Sequence, residues 1–195
     1  MLDSYGRKYA QSWFDKAGGW CVQHGWTPTQ LTLAALACGI GAAIAILGGL
    51  AFIALLLLWV SGLCDVLDGT VARKTGCASN RGAFLDIVCD RVVEVSVILA
   101  LAWQHPEAHG ALLVLCTAII CSLTVFLTSA AIVPNTSEKS LHYQAGLIER
   151  TEGFLFFSLM LACPGYMAGI AWIFASAVFA TAVQRFWWTL RFIKD

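Results

Sequence analysis

The chain has 195 residues, 59% of them apolar and 12% charged, with no net charge and a mean hydropathy of +0.75. That balance excludes a soluble globular domain and describes a single-domain membrane protein with no nucleic-acid partner. The eight cysteines contain no CxxC pair that would hold a metal, and Cys38, Cys64, Cys89, Cys116, Cys121 and Cys163, in or beside apolar runs, read as small buried hydrophobes.

Residues 2–24 interleave Tyr5, Tyr9, Trp13, Phe14 and Trp20 with Arg7, Lys8 and Lys16. They predict an amphipathic helix lying in the membrane surface, too polar for a cleaved signal peptide. Thr27-Pro28 predicts a helix start, a cap followed by proline in the first turn. The apolar run 31–47 behind it is long enough to span a bilayer. Gly39, Gly41 and Ala43 allow close packing, within the bundle or between two copies, and Gly48-Gly49 ends the run.

A second run, 50–72, is followed by a polar turn containing Arg73, Lys74, Gly76, Ser79, Asn80 and Arg81, where Ser79 or Asn80 caps the next helix. A third run covers 82–103 and a fourth 110–133. The loop 134–149 leads to a short fifth run, 154–163, whose helix is expected to begin near Ala145 and to take Glu149, Arg150 and Glu152 into its first turns. A sixth, 166–192, closes the chain, its Trp-rich end from Arg185 to Lys194 reading as an interfacial anchor. The fold predicted is all-α and polytopic: six transmembrane helices (27–195) behind a juxtamembrane amphipathic segment (1–26). Every Lys and Arg then falls at one end of the bundle, which by the positive-inside rule is cytoplasmic, at the inner membrane if the source is bacterial.

Four carboxylates stand inside this apolar sequence. An ionisable residue at membrane depth is costly and marks a functional site. Asp65, Asp68, Gly69 and Ala72 fall at i, i+3, i+4 and i+7, one stripe of a helix; Gly82, Asp86 and Asp90 recur every four positions on the next. If those helices pack side by side, acidic oxygens face one another across a notch lined by Gly69, Ala72 and Gly82. Unneutralised, they would repel and take up protons. Oxygen donors of this kind suit Mg²⁺ or Mn²⁺ before Zn²⁺.

The pattern Asp65-x-x-Asp68-Gly69-x-x-Ala72-Arg73, then Gly82-x-x-x-Asp86-x-x-x-Asp90, resembles at every defined position the signature of the CDP-alcohol phosphatidyltransferases, eight fixed residues over 26 positions. The resemblance implies transfer of a phosphatidyl group from CDP-diacylglycerol to the hydroxyl of a small polar alcohol, with release of CMP, in phospholipid biosynthesis. It implies two ions, Mg²⁺ or Mn²⁺, held by Asp65, Asp68, Asp86 and Asp90, with Asp90 as general base, and it implies a homodimer. Arg73 is expected to grip the diphosphate, and Asp68, Gly69, Ala72 and Gly82 to receive the donor.

Arg81, Arg91, Glu94 and Arg150 are the candidates for the acceptor, although Glu94 can instead pair with Arg91 at i+3. The acceptor favoured is glycerol 3-phosphate or a similar small alcohol, with serine and inositol phosphate as alternatives. Residues 125–133 contain no Lys or Arg, whereas the resemblance implies basic residues there in members that use inositol phosphate, a departure that counts against that acceptor. A rival of another class, a divalent-cation transporter, needs polar residues across the bilayer. The outer halves of the second and third runs, 50–60 and 95–102, are almost wholly apolar.

Overall fold

The computed structural model describes residues 2–132, 146, 148 and 150–193, with side chains from Gln11 onward. Among these residues the chain is helical without strands: α1 (Leu2–Gln23), α2 (Pro28–Leu47), α3 (Ala51–Thr75), α4 (Asn80–Gln104), α5 (His109–Ile132), α6 (Arg150–Ala162) and α7 (Met167–Phe192). Single 3₁₀ turns, Pro106–Ala108 and Pro164–Tyr166, precede α5 and α7.

The helix ends follow from local chemistry. Thr27 and Gln30 form a reciprocal capping box, Gln30 N–H donating to Thr27 Oγ1 at 3.3 Å and Thr27 N–H to Gln30 Oε1 at 2.9 Å, with Pro28 at the first helical position. Gly76, at φ 67°, closes α3 in the left-handed conformation that glycine adopts without steric cost. Ser79 caps α4 by accepting from Gly82 N–H at 3.1 Å. The turn is therefore only 76–79. Arg73 and Lys74 lie in the last turn of α3 and Arg81 in the first of α4, where the sequence reading had placed all three in the turn.

Six spans were expected, and among the described residues four helices are long and apolar enough to cross a membrane: α2, α3, and α5 and α7 with their 3₁₀ turns. α4 has the length, 25 residues, but carries Asp86, Asp90, Arg91 and Glu94 between its second turn and just past its middle. α6 has 13 described residues, fewer than a bilayer needs. Its expected start near Ala145 is not met, since Gly146 is outside any helix and Ile148 sits in a bend; Ala145 and Glu149 themselves lie outside the described residues.

The chain divides into two compact units, 4–105, and 106–195 with 1–3. In the first, α2 packs along both α3 and α4, whereas α3 and α4 scarcely approach each other. Ser61, wholly buried, ties α3 to α2 by donating to the Ala35 carbonyl at 2.7 Å. Gly39 lets α4 come so close that a Cβ there would overlap the Val93 side chain. Gln104 donates to the Ile46 and Leu47 carbonyls at 3.0 and 2.8 Å, joining the end of α4 to the last turn of α2. α1 lays Ala17 and Cys21 on Leu31, Leu67 and Val71.

In the second unit α7 packs against α5 and α6. Ser129 and Thr189, both buried, bond at 2.7 Å, and Phe174 stacks on Phe156 while meeting Phe157 edge-on. Large apolar side chains such as Leu56, Trp59, Leu99, Leu113 and Ile173 point outward, as lipid-facing surfaces do. The same outward faces correct the cysteine reading: of the six thiols taken as buried, only Cys89 is, while Cys121 and Cys163 are exposed.

Candidate functional site

The C-terminal half of α3 and the N-terminal half of α4 bring three carboxylates together. One oxygen from each of Asp65, Asp68 and Asp86 lies within 4.8 Å of the others. α2 makes this possible by packing along both helices, which scarcely approach each other.

The three acids are not held alike. Asp68 is buried, and its Oδ2 accepts from Thr32 Oγ1 on α2 at 2.5 Å. That hydroxyl also lies 3.1 Å from the Pro28 carbonyl, one turn back, so the capped start of α2 orients it. Asp86 differs: its Oδ1 is buried and has no hydrogen-bond partner. A buried carboxylate oxygen left unsatisfied is costly, and beside two further carboxylates it is more so. A divalent cation removes both costs, and an all-oxygen donor set fits Mg²⁺ or Mn²⁺.

The notch expected beside the acids is open. A Cβ on Gly82 would meet only Ser79 Oγ, at 3.4 Å, and one on Gly69 only Arg73 Nη1, also at 3.4 Å. Ala72 lines the same side, half-buried. Arg73 is exposed and folds back along α3, its Nη2 donating to Thr70 Oγ1 at 3.2 Å.

The other sequence candidates separate. Asp90, one turn beyond Asp86 and half-buried, is outside the group of three. Arg91 and Glu94 form a two-contact ion pair, 2.9 and 2.5 Å, with their side chains 31% and 22% exposed. Arg81 is exposed at the start of α4. Arg150 opens α6 in the other unit, its guanidinium 5.7 Å from the centre of the Phe154 ring.

Two residues escaped the sequence reading. Thr32 is a polar side chain one helical turn past the cap of an apolar helix, and its burial is what distinguishes it from the exposed hydroxyls nearby. Arg185 was grouped with the Trp-rich anchor, but its guanidinium sits 5.3 Å from the centre of the Phe126 ring, against α5, while Trp187 and Phe192 point outward. The signal available was a lone cation eleven residues past the aromatic-rich start of the last apolar helix, Trp172 to Phe174.

Residues 26–188 match the family model described as CDP-alcohol phosphatidyltransferase. The chain is 35% identical over 174 residues to the inner membrane protein YnjF of Escherichia coli K12, covering 84% of this chain and 82% of that one. It is 29% identical to the phosphatidylinositol phosphate synthase of Mycobacteroides abscessus (84% and 77% covered) and 28% identical to that of Corynebacterium glutamicum (95% and 87%). Among solved structures, Mycobacterium tuberculosis phosphatidylinositol phosphate synthase in complex with manganese and citrate shares the fold, with a TM-score of 0.75 at 22% identity over 91% of this chain and 88% of that one. The same enzyme with CDP-diacylglycerol bound gives a TM-score of 0.74, covering 90% and 92%.

Proposed function

The chain belongs to the CDP-alcohol phosphatidyltransferase family, and from that membership we propose that it moves the phosphatidyl group of CDP-diacylglycerol to a hydroxyl of inositol phosphate, releasing CMP. The observation that carries the reading is the convergence of Asp65, Asp68 and Asp86 around an unsatisfied carboxylate oxygen, beside a notch kept clear by Gly69 and Gly82.

Asp65, Asp68 and Asp86 are the residues that would hold Mg²⁺ or Mn²⁺, one or two ions. Bound there, such ions neutralise charge on the pyrophosphate and on the departing CMP. Thr32 keeps Asp68 turned toward the cluster. Arg73 offers its forked donors to the diphosphate across Gly69. Asp90, set apart from the three ligands, takes the proton from the acceptor hydroxyl as its oxygen bonds to phosphorus and the bond to CMP breaks. Asp90→Asn is expected to abolish turnover while CDP-diacylglycerol and Mn²⁺ still bind; normal turnover in that variant removes Asp90 from the mechanism.

The sequence favoured glycerol 3-phosphate; the phosphatidylinositol phosphate synthases among the relatives move the reading to inositol phosphate. The stretch 125–132 lacks basic residues of its own, and Arg185 on α7 lays a cation over Phe126 within it, which supports this reading. Arg81, at the start of α4, is proposed for the acceptor's phosphate, and Arg91 and Glu94, which neutralise each other, as a frame beside it. One observation favours a second reading, an uncharged or zwitterionic alcohol such as serine: Arg91, the basic residue next to Asp90, is already paired with Glu94.

The Lys and Arg distribution supports a catalytic end facing the cytoplasm. The homodimer implied by the resemblance is proposed on faces other than Gly39 and Gly41, since these pack within the first unit against Val93 and Leu57. The whole chain, 1–195, is taken as one catalytic domain. Purified protein supplied with CDP-diacylglycerol and Mn²⁺ is expected to release CMP with inositol phosphate and not with glycerol 3-phosphate or serine. Release with serine alone supports the second reading, and none above a metal-free control overturns both.

A further inference from the structure

Thr70 lies at 4% exposure on α3, between the acidic stripe and α1, and each of its atoms has a distinct neighbour. The hydroxyl donates its one proton to the Val66 carbonyl at 2.8 Å and accepts from Arg73 Nη2 at 3.2 Å. The methyl faces Gly18 on α1 so closely that a Cβ there would stand 2.7 Å from it. On the far side of the guanidinium, Nη1 comes within 3.4 Å of where a Gly69 Cβ would be. Arg73 is otherwise exposed, and an exposed arginine has many rotamers to lose before it grips anything.

A threonine in a helix has two accessible rotamers, both able to bond the preceding turn. Here the methyl of one of them fits against the bare backbone of Gly18, and that rotamer is the one whose oxygen faces Arg73. We infer that Thr70 is a positioning residue for Arg73, and that α1, through Gly18, holds Thr70 in the rotamer that aims the guanidinium across the notch. The inference rests on the reading above that Arg73 binds the donor diphosphate. Its consequence is that the N-terminal helix, which contributes nothing to the carboxylate cluster, sets the affinity for CDP-diacylglycerol.

The test is the KM for CDP-diacylglycerol, measured with kcat by CMP release, in the full chain. Thr70→Val keeps the methyl group and loses the hydroxyl; it is expected to raise that KM about five-fold, the effect of one net hydrogen bond, with kcat little changed. Thr70→Ser keeps the hydroxyl but loses the methyl that Gly18 holds, and is expected to restore the KM most of the way, short of wild type. Gly18→Ala, which drives a methyl into the methyl of Thr70, is expected to match Thr70→Val. Gly18→Ala combined with Thr70→Ser removes the overlap and is expected to recover.

Arg73→Ala separates the two levels. If it raises the donor KM while Thr70→Val does not, the positioning role falls and the donor site stands. If Arg73→Ala leaves the donor KM unchanged, both fall. A double variant as impaired as Gly18→Ala alone overturns the coupling through α1. Should Thr70→Val fail to fold, the Gly18→Ala pair with and without Thr70→Ser carries the same decision.

Discussion

α3 and α4 are equally long, 25 residues each, and each carries two aspartates of the motif, yet they meet the membrane differently. α3 is apolar through its first half and gathers Asp65, Asp68, Arg73 and Lys74 at its C-terminal end, so it still qualifies as a span. α4 carries acids from its second turn to Glu94, near its middle, and does not. The difference extends to how the acids are held. Asp68 on α3 is buried and fastened by Thr32, whereas Asp86 on α4 keeps a buried oxygen without a partner. One wall of the site is complete in the protein alone, and the other keeps a buried acceptor open.

The sharpest way to break this contrast is to neutralise the incomplete wall. Asp86→Asn is expected to lower turnover by at least about 10³-fold, because the removed charge is one that a bound cation needs. Mn²⁺ binding, followed by electron paramagnetic resonance, is expected to weaken in parallel. Thermal stability is expected to hold or rise, since a repelling carboxylate has gone. Unchanged Mn²⁺ affinity would mean that the open oxygen is not where the ion binds.

A smaller effect is expected from moving α4 as a body. Gly39→Ala places a methyl against Val93 and pushes α4 away from α2, carrying Asp86 with it while Asp68 and Thr32 stay in place. Misplacement of a catalytic group by about 1 Å costs roughly 10²-fold in turnover. Val93→Ala in the same chain makes room and is expected to recover most of the loss, a result that separates geometry from general destabilisation.

How far the sequence carries this site can be judged on the same two helices. The spacing of Asp65, Asp68 and Gly69, and of Gly82 and Asp86, is enough to predict two acidic stripes and a clear notch, because helical periodicity and the absence of side chains are local properties. That α3 and α4 are held apart by α2 is not local. It depends on Gly39 meeting Val93 and on Ser61 meeting Ala35, contacts 54 and 26 positions apart in the chain. Thr32 was missed for the same reason, since its partner Asp68 is 36 positions away. The six-span expectation is met by four helices among the described residues; α6 falls outside them because apolar composition alone does not set where a helix begins, and α4 because it carries charge along much of its length.

On the complete wall the expected change is more modest. Thr32→Val removes the hydrogen bond to Asp68 at nearly constant volume, and loss of an interaction that orients a ligand typically costs about 10-fold in metal affinity. Thr32→Ser is expected to restore it. A Mn²⁺ titration of the two variants decides whether Thr32 orients Asp68 or only packs beside it.

The smallest effect concerns the charges that make α4 an unusual span. Arg91 directly follows Asp90 and Glu94 lies a turn past it; both are partly buried and together they carry no net charge. Breaking one partner strands the other charge in a medium that does not solvate it, whereas replacing both by apolar residues removes the demand altogether. Glu94→Gln is therefore expected to lower the melting temperature by several degrees, about 1–2 kcal/mol for a half-exposed pair, and Arg91→Leu with Glu94→Leu to bring it back. The acceptor KM measured alongside tells framing from recognition. A KM near wild type in the double variant leaves the pair as a support for the helix that presents Asp90, and a large rise would make one of the two a direct contact to the acceptor.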